Sequence, residues 1–495
     1  MKTRFPASIS VGAGLFTAQV LATVQVFISN RALYEKMSWI AEAGYLTVPN
    51  QKILPTLNML PPAFNGGLFF TLSIGVGISL VSLACAWIYK YPCRLKKGCL
   101  VVLLGLWAVG IAALNRHGFV LMPTLHLLFV PVVVVLLFLT LSPTDPEPGS
   151  RLILLLHFLA ISMLALLWST QMNADLYLNI RDNLLLSNAP GIRFNDFYYH
   201  YTLYPAEAFR NLSQKLIKTY HLRPTENDRV RQRLKQKLAG HDYLLISQKG
   251  KADVEISLEK DRIRLCGSRG VVLETDSEEF FKHTRHILQD LSQKNDAYIH
   301  FRAATSLSLL LGFPLLLYWV CSGLLTRGFS LFLGRRPSVC AGIAACCLTG
   351  VFLLFLMPGE NEKEFAPDRL PRMLASDNWK DTVRALKHIT EKHIDLHQFN
   401  LTQNLSRHPS IPVRYWLARC LGGGRHPDDE ACLITLMQDP QPNVACQAFY
   451  SIGKRKFRDT TARLLASIKR SDHWYVQLYI YNALRKLGWK QSVSN

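Results

Sequence analysis

Between Cys99 and Trp168 the chain carries three apolar runs, Cys99 to Leu114, Phe119 to Leu141 and Leu152 to Trp168, none of which contains Asp, Glu, Lys or Arg. About 20 such residues make a helix that crosses roughly 30 Å of hydrocarbon, and three in succession are foreign to a water-soluble core. Spans are therefore expected at about 99–114, 119–141 and 152–168. The same reasoning adds earlier ones at about 7–28 and 64–89, so that residues 1–168 form a five-span membrane domain, and two later ones within 303–357. The length of 7–28 and the lack of a convincing small-residue cleavage site favour an uncleaved first span over a signal peptide.

Small residues recur every four positions in the first span (Ser10, Gly14, Ala18, Ala22) and again in the second (Thr71, Gly75, Ser79). Such stripes let helices approach closely. The connection from Ser29 to Pro62 is polar and carries prolines, which places it at the interface.

Orientation follows from the short loops. Lys90, Arg94, Lys96 and Lys97 crowd the loop after the second span, and Arg327, Arg335 and Arg336 that after the sixth. The positive-inside rule puts both on the cytoplasmic face. With seven spans the N-terminus is then cytoplasmic, and both soluble stretches, 169–302 and 358–495, face outward. The loop Ser142 to Arg151, with Asp145 and Glu147 against Arg151, follows the rule least well.

A formal charge of +21 invites a nucleic-acid reading. The cations are instead spread over both soluble stretches and gathered beside spans, with no reader motif, so the expected partners are anionic lipid head groups and proteins, not nucleic acid. The eleven cysteines form no CxxC and no metal-ligand spacing. Most, Cys99 among them, sit at apolar positions where a thiol is a small packing group.

Residues 169–302 read as an α+β domain inserted between spans five and six. Val254, Ile256 and Leu258 alternate with Glu255, Ser257 and Glu259, as in a strand with one wet face. Further strands are expected at 243–246, 262–266 and 270–274, with a turn at Lys260 and Asp261. Helices are expected at 206–220, from Thr225 with Asp228 as its capping partner, and at 276–294. The aromatic run Phe194, Phe197, Tyr198, Tyr199, Tyr201 and Tyr204 fits, in order of preference, a buried strand, an interfacial belt or a partner-binding surface.

Two groups bear on chemistry. Glu279, His283, His286 and Asp290 share one helical face that could hold a divalent metal, but a working site needs ligands from elsewhere, so a solvated face is preferred. His126 and His157, the histidines inside the spans, could ligate a haem iron from two helices. They lie about 10 and 16 Å below the outer edge at 1.5 Å per residue, and this mismatch favours hydrogen-bonded packing. Gln19 and Gln25 read as interhelical glue. No nucleotide loop, nucleophile elbow or zinc-protease motif is present, Glu278-Glu279 beside His283 is only a faint likeness of the last, and no catalytic residue or cofactor is expected.

The C-terminal stretch repeats itself. His408-Pro409-Ser410-Ile411-Pro412-Val413-Arg414 leads to Leu421-Gly422, and Asp439-Pro440-Gln441-Pro442-Asn443-Val444 leads to Ile452-Gly453. Starts at Asp377, His408, Asp439 and Asp472 are spaced by 31, 31 and 33 residues, the mark of stacked helix pairs. Residues 366–490 resemble HEAT repeats, in particular the short variety named after phycobilisome lyases. The resemblance implies a curved α-solenoid that binds other proteins, without carrying lyase chemistry.

The expected whole is a membrane α-helical protein, a seven-span bundle with an inserted α+β soluble domain and a C-terminal HEAT-like α-solenoid. The expected function is a scaffold of the bacterial inner membrane that recruits or assembles membrane and envelope proteins. A transport or channel component is one alternative, disfavoured by the absence of carboxylates from the spans. A membrane-interface enzyme acting on lipid or glycan is the other.

Overall fold

A computed structural model describes residues 6–143, 150–172, 175–224, 228–247, 251–259, 261–356, 367–424, 426–455, 457 and 459–491. The elements used below are, in chain order, helices α1 (Pro6–Glu42), α2 (Leu60–Lys90), α3 (Lys97–Leu114), α4 (Leu121–Leu141), α5 (Ser150–Ser169), α6 (Ala189–Tyr201) and α7 (Leu203–Phe209). Strand β1 (Lys218–Leu222), helix α8 (Asp228–Ala239), strands β2 (Tyr243–Leu245), β3 (Val254–Glu259), β4 (Arg262–Gly267) and β5 (Val272–Asp276), and helix α9 (Ser277–Lys294) follow. Then come α10 (Ile299–Phe329), α11 (Arg335–Leu356), α12 (Trp379–Lys392), α13 (Ile411–Leu421), α14 (Asp429–Leu436), α15 (Pro442–Ile452), α16 (Thr460–Arg470) and α17 (Trp474–Lys486).

Among the described residues seven helices are long and apolar enough to cross a membrane by length and composition: α1 to α5, α10 and α11. The capping pattern at Thr225, the turn residue Lys260, the loop acids Asp145 and Glu147 and the end of the last expected span at Met357 lie outside the described residues.

The chain forms two compact units. One comprises residues 1–29, 60–179 and 296–359, and its helices pack through small side chains. Ser10, Ala18 and Ala22 are almost wholly buried. A methyl added at Gly75 would stand 2.8 Å from the Ala18 Cβ, closer than Cβ atoms approach. Gln19 ties α1 to α2 twice, donating to the Phe64 carbonyl (2.9 Å) and accepting from the Thr71 hydroxyl (2.7 Å). Single π-turns interrupt α2 at Thr71–Gly75 and α10 at Ser308–Gly312, and they meet where the Ser308 hydroxyl donates to the Ser73 carbonyl.

The second unit joins residues 30–59, 180–295 and 360–495, so the stretches read separately from sequence as an α+β domain and a solenoid pack as one body. Helix α1 runs on to Glu42, and the polar connection expected after residue 28 is helical for its first half. The reason is visible in residues 31–42, where good helix formers place Met37 and Ile40 on one buried side.

The sheet has the order β2-β1-β3-β4-β5, parallel for β1 with β2 and β3 and antiparallel from β3 onward. Its core is Tyr220, Leu234, Leu238, Ile256, Ile263, Leu265, Phe280 and Leu291. Strands β2 to β5 and α9 fall where alternation and periodicity predict. The helix expected at 206–220 does not form: α7 ends at Phe209 and β1 takes residues 218–222. Parallel pairing of Lys218 to Tyr220 with β2 and of Tyr220 to Leu222 with β3 fixes this segment as strand, which local pattern alone does not reveal.

Two further expectations are corrected. Cys93 and Cys99 form a disulfide with Cα atoms 6.3 Å apart, so Cys99 is not a lone packing thiol. The aromatic run is helical, not a strand, because Asn188 caps α6 by accepting from the Gly191 N–H (2.9 Å) and Pro190 occupies its first turn.

Candidate interaction surface

The repeat helices are built by the turn residues that mark each period. Helices α12, α13, α15 and α17 begin two or three residues after Asp377, His408, Asp439 and Asp472. Asp439 links two copies: its carboxylate accepts from the Gln441 N–H (2.9 Å) and pairs with Arg414 of the preceding copy (2.6 Å). The closing glycines permit close stacking. A methyl at Gly453 would lie 2.8 Å from the Ala483 backbone Cα, and one at Gly422 would strike the Ser451 side chain, whose hydroxyl donates to the Ala418 carbonyl (2.7 Å).

Three of these helices, α13, α15 and α17, are occupied by the chain itself. Trp416 on α13 donates its indole N–H to Asp182 (2.8 Å), and Asp182 is paired in turn with Arg181, whose guanidinium lies 3.7 Å from the Tyr415 ring centre. Both members of the pair are almost wholly buried. Burial lowers the Arg181 pKa, but the Asp182 carboxylate and the Tyr415 hydroxyl together offset it and hold the pKa above its ordinary value. One period on, Asn443 exchanges amide hydrogen bonds with Asn195 (2.7 and 3.2 Å). At α17, Tyr475 packs on Tyr199 with ring centres 4.6 Å apart, and Trp474 meets Tyr204 edge to face at 5.1 Å. His473 stands over His200; burial first and then that neighbour lower its pKa to about 4. Every residue from Asn443 to Phe449 is buried.

Residues 181–204 are thus a strap along the repeats, and Tyr199 and Tyr204 of the aromatic run pack on the chain's own solenoid. This contact was missed from sequence because its members lie more than 200 positions apart. The Asn188-Ala189-Pro190 start signal was the one local hint that the run is a helix.

Three further junctions complete the unit. Lys36 on the extension of α1 and Lys215 (2.9 Å) both pair with Asp253, which also accepts from the Thr219 N–H (2.8 Å). Burial raises the Asp253 pKa, but the two lysines outweigh it and hold the carboxyl far below the usual range. Asp242 accepts from the Tyr481 hydroxyl (2.6 Å) and pairs with Arg485 (2.9 Å). Asn50 binds the repeat end, its side chain donating to the carbonyls of Ile468 (2.8 Å) and Ser471 (2.9 Å).

The sequence-derived candidates sit elsewhere. Glu279 and His283 are about half exposed on α9 with their nearest charged atoms 3.8 Å apart, His286 points to solvent, and Asp290 pairs with Lys294 (2.9 Å). Helix α9 departs from helical geometry at His283. His126 bonds through Nδ1 to the Met122 carbonyl (2.9 Å), and His157 bonds to the Tyr318 hydroxyl (2.9 Å), so each has its own partner.

One cluster outside those candidates brings ligating atoms of His397, His426 and Asp428 within 4.8 Å of one another. The two imidazoles lie face to face, 3.8 Å between centres and 21° between planes. A metal must lie close to the plane of each imidazole that binds it, which stacked rings forbid. His397 is instead locked by Asp429 (2.6 Å), which also pairs with Arg455.

Residues 400–485 match the HEAT repeats. The match covers the stacked helices α13 to α17 and leaves the rest of the chain outside it. No curated protein and no solved structure matches the chain. HEAT repeats are protein-interaction scaffolds that bind along extended surfaces. In this HEAT region residues 181–204 already bind Trp416 of α13 and the starts of α15 and α17.

Proposed function

We propose that the chain is a polytopic membrane scaffold that recruits or assembles envelope proteins through its HEAT region and the mixed-sheet fold packed with it. The observation that carries this reading is the composition of the second unit. Its three stretches follow the first, fifth and seventh apolar helices, and segments that share one folded body must lie on one side of a membrane. Seven crossings meet that condition, because four helices separate the first stretch from the second and two separate the second from the third.

Charge supports the orientation, since the loops after the second and sixth helices hold Arg94, Lys96 and Lys97 and Arg335 and Arg336. The second unit then faces the periplasm of a bacterial inner membrane. The Cys93–Cys99 disulfide weighs the other way, because lasting disulfides belong to oxidising compartments. Polar groups of the spans serve packing on this reading: Gln19, Thr71, His157 and Tyr318 bond to partners within the bundle.

Single cysteines replacing exposed Lys96, Lys251 and Lys490, on a background lacking exposed native thiols, test the topology with a membrane-impermeant maleimide in spheroplasts. Labelling at 251 and 490 without lysis, and at 96 only after it, is expected. Labelling at 96 with protection of the others reverses the orientation, and unequal labelling of 251 and 490 overturns the span count. Photocrosslinkers at Ala431 and Thr435, exposed on α14, test recruitment: a discrete envelope protein captured at both positions is expected, and adducts to lipid or to the chain alone overturn the scaffold.

A further inference from the structure

Within the second unit a cavity of about 820 Å³ opens between α9, α15 and α17. Arg285 enters it from α9, Tyr450 from the end of α15, and Tyr479, Asn482 and Lys486 from α17. We propose that this cavity receives the carboxylate side chains of an acidic segment of a partner protein. The proposal rests on the scaffold reading and names where, and by what chemistry, a partner is held.

The charge of the lining is unbalanced. Its carboxylate, Asp242, is consumed by Arg485 (2.9 Å) and the Tyr481 hydroxyl (2.6 Å). Arg485 is consumed with it, donating also to the carbonyls of Gly240 (2.6 Å) and Trp489 (2.6 Å). Arg285 and Lys486 remain, both exposed and neither paired with a carboxylate among the described residues. The Lys486 ammonium rests 3.5 Å from the centre of the Tyr450 ring, and Lys454 approaches the same ring at 4.9 Å. An ammonium over an exposed ring face is held only weakly, so an arriving carboxylate draws Lys486 away at little expense.

The surroundings add to the field. Helix α8 carries Arg229, Arg231, Arg233, Lys235 and Lys237 against Asp228 alone, and packs beside α9 with the Arg233 guanidinium over the Phe281 ring (4.3 Å). A cleft lined by one sign of charge concentrates the opposite sign and speeds its arrival. The size argues for a peptide over inorganic phosphate. A volume of this order suits a ligand of many atoms, and tyrosine with arginine is the pairing that dominates protein interfaces.

The test uses the full chain in nanodiscs of zwitterionic lipid and a fluorescent octaglutamate peptide, read by anisotropy. Saturable binding that weakens with salt is expected, and octaglutamine should not bind. The double variant Arg285→Gln/Lys486→Gln should weaken it roughly tenfold or more, the worth of two charge contacts. Arg262→Gln, at an exposed ion pair on β4, should leave it unchanged, and all variants should keep the parent melting temperature. Three results overturn the proposal: no saturable binding to the parent chain, equal loss with Arg262→Gln, or displacement of the peptide by inorganic phosphate at equal concentration. A failure of the photocrosslinks at Ala431 and Thr435 with peptide binding intact would remove the scaffold and keep the site; the reverse would remove the site alone.

Discussion

The two units of this chain are both rich in helices and are held by opposite means. In the apolar bundle the contacts are made by what is missing, as where Gly75 lets α2 settle on Ala18, and polar groups link helices one at a time, as Gln19 does. In the second unit, charges taken out of water join stretches far apart in the chain: Lys36 with Asp253, Asp182 with Trp416, Asp242 with Arg485. On the proposed membrane reading, hydrocarbon offers no hydrophobic drive between the bundle helices, so close fit must supply their association. In water burial supplies the drive, and the buried pairs determine which surfaces meet.

The largest effect should come from the charged junction. Asp253→Asn leaves Lys36 and Lys215 facing each other half-desolvated, and breaking a buried pair in this way typically removes about 3–5 kcal/mol. Chemical denaturation should show that loss, and hydrogen exchange should rise together in β1 and residues 30–42. Adding Lys36→Met and Lys215→Met should return most of it, because the penalty lies in the orphaned charges. Acid should act as the mutation does. The folded Asp253 pKa lies far below the ordinary carboxylate value near 4. Its contribution is therefore complete above that value and declines as pH falls from it toward the folded pKa. A parent and an Asp253→Asn protein with parallel pH profiles below 4 would break the contrast between the units.

Glycine sharpens the same contrast. Gly453→Ala sets a methyl against the Ala483 backbone, which cannot swing aside, and overpacking of this kind costs about 1–3 kcal/mol. Gly110 on α3 has open space around it, so Gly110→Ala should be neutral or slightly stabilising through helix propensity, about 0.5–1 kcal/mol at most. Thermal melts of the two variants separate a glycine needed for contact from one that is not.

What was legible in the sequence follows the range of each interaction. The apolar helices, strands β3 to β5 and the repeat starts all announce themselves within a few residues, through runs, alternation or a fixed period. Strand β1 does not, since its residues become strand by pairing with β2 through Lys218 to Tyr220 and with β3 through Tyr220 to Leu222. The strap of residues 181–204 was misread for a similar reason: six aromatics in eleven positions look like a buried strand until the partners Trp474 and Tyr475, some 270 residues on, are known. The HEAT period implied a solenoid that binds other proteins and held no sign that residues of the chain's own helix α6 contact it. The cationic cavity left no local signature either, because Arg285, Tyr450 and Lys486 come together only when the sheet and the repeats pack.

The smallest loss should come from the bundle's own polar link. Gln19→Leu keeps the volume near constant while removing the donor to Phe64 and the acceptor for Thr71. Side-chain hydrogen bonds between helices in membranes average about 0.6 kcal/mol, since separated helices find other partners for the same groups. The Thr71 hydroxyl already has such a fallback in the Gly67 carbonyl at 3.3 Å. Reversible unfolding of the bundle in mixed micelles should therefore show a loss below about 1 kcal/mol, several-fold smaller than that of Asp253→Asn. A loss of about 3 kcal/mol would mean that Gln19 is as deeply committed as the buried ion pairs, and that the bundle too is specified by polar contacts rather than by the fit of its small residues.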